Sequence, residues 1–236
     1  MLKEFIQYLI ELKRPEIVEQ DGKTYSTRNL TQLDAEQGVE AIKIRSLSGM
    51  VDYIKSNFDH KREVMIHVES PTRVRVFDSL NDVNDRRTYV SAEAMLPDIT
   101  FERHMNREKF NIMLQACFVN NTHKETVLSF ISSIIEENSV AQDDDGISQK
   151  VTARMGILTQ GFATVPNPVE LKPFRTFVEV GQPESEFVLR LREGGEVGLF
   201  EADGGAWELN AMQNIKEYFK DELKDLIEGG KVIIVA

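Results

Sequence analysis

Glu201 and Asp203 stand two residues apart, beside Gly204-Gly205 and close to Trp207. Two carboxylates at that spacing are a starting point for a magnesium site or an acid–base pair. Either role needs further ligands and a cleft, which the local sequence does not supply. The same residues have a plainer use, with Asp203 opening a turn and Glu201 pairing with an arginine such as Arg175 or Arg190. Arg175, Arg190 and Arg192 are also the cations best suited to line a pocket for a small anion, unless Glu179, Glu201 or other acids neutralise them across a sheet. Arg175, Arg190, Glu201, Asp203 and Trp207 are therefore the candidate ligand or interface residues.

Other chemistry-bearing types are poorly placed. The four histidines are His60, His67, His104 and His123, none within three or four residues of another or next to the cysteine, so a local zinc site is not expected. Cys117 is alone, lies in the apolar stretch from Met113 to Phe118, and reads as a small buried hydrophobe. A single cysteine makes no intrachain disulfide and points to an intracellular compartment. Asp143-Asp144-Asp145-Gly146 resembles a calcium loop only at its start, because the twelfth position holds Arg154 where glutamate is needed. Gly194-Gly195-Glu196-Val197-Gly198 lacks the lysine and the following helix of a phosphate loop, and suits a turn between strands. No catalytic residue, cofactor or metal is expected.

The elements that must position these residues follow from hydrophobic period. Leu2, Phe5, Ile6 and Leu9 give one sticky face of a helix that Pro15 ends, and charges interrupt it too often for an export signal. Residues 17–20 and 23–27 flank Asp21-Gly22 as a hairpin. A strand through Val39 to Ile44 precedes a helix capped by Ser46 or Ser48. Val64, Ile66 and Val68 alternate, as do Val74 and Val76, so these runs pair across the turn at Ser70-Pro71. His67 then shares a face with Met65. Residues 87–90 read as a strand and 92–95 as a helical turn, and two helices follow, the first from Asn106 and the second from Asn121 or Thr122.

Past residue 136 the period is that of strands, at 151–158, 174–180 and 187–191. Pro166, Pro168 and Pro173 lie on a segment suited to a sheet edge, since proline donates no ladder hydrogen bond. Residues 199–201 and 207–209 read as a hairpin across Asp203-Gly204-Gly205. Met212, Ile215, Phe219, Leu223 and Leu226 make the stripe of a last helix over 210–227, ended by Gly229-Gly230. Val232 to Ala236 is an unbroken apolar strand, expected to be buried on both faces in mid-sheet or in a subunit interface. The whole is an α+β fold of antiparallel and mixed sheets with several amphipathic helices, helix-rich first and strand-rich later. It is one domain over 1–236, with interlocked lobes over 1–135 and 136–236.

Composition excludes whole classes. The chain has 236 residues, 41% hydrophobic and 28% charged, which fits a folded globular protein and not a disordered or collagen-like one. No apolar run approaches the ~20 residues of a membrane-spanning helix. The formal charge of −11 disfavours nucleic acid and anionic membranes as partners.

Four stretches coincide with a known pattern: residues 144–152 (DDGISQKVT), 165–177 (VPNPVELKPFRTF), 179–190 (EVGQPESEFVLR) and 199–207 (LFEADGGAW). Together they resemble the YfdQ-like family of phage and prophage proteins, most strongly over 143–220. The resemblance implies a phage-encoded protein of the host bacterial cytoplasm and carries over no catalytic residue. The expected function is non-enzymatic, as a homo-oligomeric ring or shell, because the apolar segments at both ends of the sequence would find burial between copies. One alternative is an inhibitor of host defence that sequesters a nucleotide signal through the arginines or offers an acidic decoy. Another is an accessory to recombination that binds single-stranded DNA through Arg73 and Arg75, with Phe77 and Tyr89 as stacking platforms.

Overall fold

The computed structural model describes residues 2–11, 16–20, 23–26, 39–59, 63–80, 85–134, 150–154, 160–164, 166–192 and 194–236. The chain divides into two compact units, residues 1–39 and 40–236. In the first, the predicted helix forms as α1 (Leu2–Glu11) and leaves Leu2, Phe5, Ile6 and Leu9 exposed. The hairpin forms from β1 (Ile17–Gln20) and β2 (Lys23–Ser26), antiparallel. Pro15 and the Asp21-Gly22 turn lie outside the described residues, as do His60 and Asp143 to Gly146.

The second unit holds two hydrophobic cores. The first rests on a mixed sheet in the order β13-β4-β5-β6-β3, made of β3 (Ile42–Ile44), β4 (Val64–Ser70), β5 (Arg73–Asp78), β6 (Thr88–Glu93) and β13 (Val232–Val235). The predicted alternation decides which face is dry. Val64, Ile66, Val68, Val74, Val76, Val90, Ala92 and Val232 point inward against α2 (Leu47–Ser56) and α5 (Ala206–Glu222). Met65, His67, Glu69, Arg73, Arg75, Phe77, Ser91 and Glu93 take the other face and stay half-buried or exposed. Ser46 caps α2 by accepting the Gly49 amide at 3.2 Å, and Asn57 ends it in the left-handed conformation at φ 49°.

The second core lies under an antiparallel sheet, β10-β11-β12-β7, built from β7 (His104–Met105), β10 (Val169–Leu171), β11 (Ser185–Leu191) and β12 (Val197–Glu201). Phe187, Leu189, Leu191, Val197 and Leu199 pack with Phe110, Met113 and Leu114 of α3 (Arg107–Cys117) and Val127 and Ile131 of α4 (Thr122–Ser133). Asn106 caps α3 as the sequence predicts, and Asn121, one of the two expected starts, caps α4. The proline-flanked β10 is an edge strand, and Cys117 is buried. Gly194 and Gly195, both at positive φ, turn β11 into β12. A second hairpin joins β8 (Lys150–Arg154) and β9 (Gln160–Thr164). A short α6 (Lys224–Glu228) follows α5.

The fold is α+β, but its two cores are not the two halves of the sequence. Each draws segments from both sides of residue 135, and the first 135 residues carry seven described strands beside four helices. Four local expectations are corrected. Residues 92–95 form no helical turn, because Ala92 stays in β6, buried against the first core. Residues 207–209 are the first turn of α5 and no strand, since Gly205 at φ 82° opens a helix and Asp203 O accepts the Ala206 amide at 3.2 Å. Residues 174–180 are a strap and no strand. Finally, β13 is not in mid-sheet: among the described residues it pairs with β4 alone, in parallel, with Val232 buried and Ile233 57% exposed.

The strap runs from core to core. It leaves the second core where the Phe174 amide donates to Cys117 O at 2.9 Å. It enters the first core with Phe177 and Val180. Thr176, 0% exposed, donates its hydroxyl to Pro71 O at 2.5 Å, and Glu179 Oε1 accepts the Leu47 amide at 2.9 Å and the Ser48 amide at 3.3 Å. A carboxylate there suits the positive end of α2. Gln182 closes the strap on itself: its Oε1 accepts the amides of Arg175 and Thr176 at 3.0 and 3.2 Å, and its Nε2 donates to Phe177 O at 3.0 Å. Side-chain amide bonds thus replace the ladder that a strand would have used. Gln182→Ala strands two backbone amides, and urea unfolding is expected to show a loss of about 2–3 kcal/mol.

Candidate functional site

The strap delivers Arg175 to the point where β11 begins, β12 ends and α5 starts. Its side chain is 7% exposed. A guanidinium taken out of water is costly unless its charge and its donors are met. Here Nη1 is ion-paired with Glu201 Oε1 at the end of β12, and Nη2 donates to the Ser185 hydroxyl at the start of β11. The flat face lies 3.9 Å from the centroid of Trp207 on α5 and 5.6 Å from that of Phe187. Arginine stacked on tryptophan away from water gains about 2 kcal/mol. Burial pulls the Arg175 pKa down, while Glu201, Asp203 and Glu208 pull it back.

Asp203 completes the corner. Its Oδ1 accepts the Gly205 amide at 3.1 Å, so it shapes the turn that starts α5. Burial works to raise its pKa, but the nearby donors of Ser185, Gly205 and Trp207, together with the Arg175 charge, bring it below the ordinary carboxylate value.

The plainer sequence reading of the two carboxylates is the one the geometry carries: Glu201 pairs with Arg175, and Asp203 holds a turn. A general acid needs a proton to give near neutral pH. Asp203 is held on the ionised side, and an oxygen of Glu201 is taken by the guanidinium. Among the described residues, no group of three or more histidine, cysteine or acidic side chains is arranged to hold a metal ion. Four of the five candidates, Arg175, Glu201, Asp203 and Trp207, come together. Arg190 does not join them. It pairs with Gly198 across the sheet, and strand alternation puts it on the opposite face of β11 from Ser185 and Phe187. A single anion pocket lined by Arg175, Arg190 and Arg192 is therefore not built.

Sequence reasoning missed Ser185 and Phe187, which meet the Arg175 guanidinium, and Gln182, which holds the Arg175 backbone amide. It also missed Lys124, which from α4 donates Nζ to Gln115 O at 3.1 Å, Phe118 O at 2.7 Å and Asn120 Oδ1 at 2.8 Å. That lysine closes the C-terminal end of α3, whose own last turn has no basic residue. Burial lowers its pKa, against the opposing effect of Cys117. The only sequence signal was a lysine three residues after a capping asparagine. Near Gly198 the backbone itself is the partner: a Cβ there would lie 2.9 Å from Phe200 Cε2 and 3.2 Å from the His104 ring.

No helix among the described residues is long and apolar enough to cross a membrane. Comparison with known proteins finds no matching family model, no matching curated protein and no matching solved structure.

Two outcomes test the structural role of this corner. Arg175→Met keeps the stacking length but leaves Glu201 and Asp203 without their cation, and thermal and urea unfolding should both show a loss of about 2–4 kcal/mol. Asp203 has a depressed folded pKa, so its contribution is complete above the unfolded carboxylate pKa of about 3.9 and is lost as the pH falls through the lower folded value. Asp203→Asn should accordingly flatten the fall in stability below about pH 4, read from melting curves across an acid series.

Proposed function

We propose that the chain is a non-enzymatic, homo-oligomeric protein, assembled by pairing the outer edge of β13 with β13 of a second copy. The observation that carries this reading is the contrast between the two edges of the five-stranded sheet. β3 is three residues long and bears Lys43 on its short edge, with Arg45 next to it. Short length and charge are the usual guards of an edge strand. β13 has neither. It is the uncharged run Val-Ile-Ile-Val, paired with β4 without a bulge, and Ile233 and Val235 on its outer side are 57% and 43% exposed.

A two-fold axis through that edge joins two five-stranded sheets into one of ten and buries the exposed isoleucine and valine against their symmetry mates. The bare face of α1, with Leu2, Phe5, Ile6 and Leu9, is a second apolar surface on the same chain. A second self-contact beside the two-fold one would let the assembly grow beyond a dimer. The resemblance to YfdQ-like proteins supports placing such an assembly in a phage-infected bacterium, in the host cytoplasm.

Light scattering on the purified chain reads this directly. Multiples of 26.9 kDa are expected, and a double substitution Ile233→Lys, Val235→Lys, on the solvent side of the strand, should yield a smaller folded species, no larger than the dimer that the α1 face alone can hold. A parent protein that already runs at 26.9 kDa at micromolar concentration rules the assembly out.

A further inference from the structure

The outer face of the five-stranded sheet is the part of the second unit that neither core uses. The registers place its side chains in rows across the strands. One row reads Val235, His67, Arg75, Ser91 and Lys43. A second pairs Met65 with Phe77, and a third pairs Arg73 with Glu93. Lys43, Arg45, Arg73, Arg75 and Glu93 line one open groove there of about 510 Å³. Four cations line the groove against Glu93, with Glu69 beside Arg75, so the face carries a local positive excess in a chain whose total charge is −11.

We propose that this face binds single-stranded nucleic acid, with phosphates on Arg73, Arg75, Arg45 and Lys43 and a base stacked at Phe77. The cations are held in place without being used up. Arg75 meets Glu69 at 3.0 Å, Arg45 meets Glu93 at 3.0 Å and Arg73 meets Glu93 at 3.6 Å. All of these pairs are solvated, and such pairs are worth at most about 1 kcal/mol, so a phosphate can replace the carboxylate. Next to them the rings of Phe77 and His67 lie with centroids 6.1 Å apart and tilted by 38°, so an aromatic surface adjoins the cations. An acidic peptide would satisfy the cations but has no use for the ring. A duplex would be too wide to lay its bases on the sheet, whereas an unpaired strand offers a phosphate and an exposed base together. Tyr89, the other aromatic considered from sequence, is not on this surface: its hydroxyl donates to Asp78 at 3.1 Å and its ring sits by Tyr53 against the first core.

The test is fluorescence anisotropy of the full chain with a labelled oligothymidine of about 20 nucleotides, over salt from about 50 to 200 mM. Saturable binding that weakens with salt is expected. Arg73→Ala with Arg75→Ala should weaken it at least ~10-fold and flatten the salt slope by about 0.7 for each phosphate left without its cation. Phe77→Leu, which keeps the apolar volume, should weaken it about 5-fold or more. Lys224→Ala, at an exposed lysine of α6, should change nothing. Circular dichroism melts verify that each variant is folded, and light scattering that its mass is unchanged. The proposal is overturned by no anisotropy change at the lowest salt, by equal binding in the double arginine variant, by equal affinity for duplex DNA, or by arginine-dependent capture on phosphatidylserine vesicles of similar strength.

Discussion

One guanidinium away from water organises the second unit. Arg175 is acceptable where it lies only because four separate pieces of chain meet around it: the strap that carries it, the first residue of β11, the last of β12 and the first turn of α5. A carboxylate alone would not suffice, since the desolvation of both charges can exceed their attraction. The hydroxyl of Ser185 meets Nη2 and the ring of Trp207 covers the flat face, while the buried Nε finds no hydrogen-bond partner among the described residues. The arrangement therefore specifies geometry more than it adds stability. A shifted β11, a late start to α5 or an unseated strap would each leave a buried charge unmet.

That constraint also explains the strap. Its two ends answer to the second core, and its middle answers to the first, through Phe177, Val180 and the cap that Glu179 places on α2. Backbone that crosses between cores must satisfy its amides without a ladder. Gln182 does this with one side chain, and Asn214 of α5 adds a bond to Gly181 O at 2.8 Å. The polar residues Arg175, Thr176, Glu179 and Gln182 of this stretch thus serve mechanical ends, and of them Arg175 is the one that looked most like chemistry in the sequence.

Much of the fold was legible because period is a local property. The alternation in β4 and β5, the asparagine caps of α3 and α4 and the glycine turn after β11 each follow from a handful of neighbouring residues. Misreadings came where a distant partner overrode the local pattern. Residues 174–180 alternate like a strand but are claimed by Gln182 and by the first core. Trp207 to Leu209 looks like the return of a hairpin until Arg175 draws Trp207 over its face. The uniform apolarity of Val232 to Val235 promised burial on both sides, yet sheet order put it at an edge, which only pairing with β4 could reveal. At the candidate site the carboxylates were readable from type and spacing and their arginine only as one of two, Arg175 or Arg190, whereas Ser185 and Phe187 were hidden because a serine and a phenylalanine in a strand announce nothing about which cation they will meet.

The parallel pairing of β13 with β4 has a kinetic side. Its two partners are about 170 residues apart in sequence, and parallel pairing at such separation is slow because loop closure must come first. During synthesis, the second core's helices and sheet can condense while the earlier sheet still waits for its final strand and for Ile215 and Phe219 of α5. Until then the valines of β4 and β5 have only α2 and Phe177 to cover them, and a nascent chain with that much apolar surface exposed is a natural client for a holding chaperone.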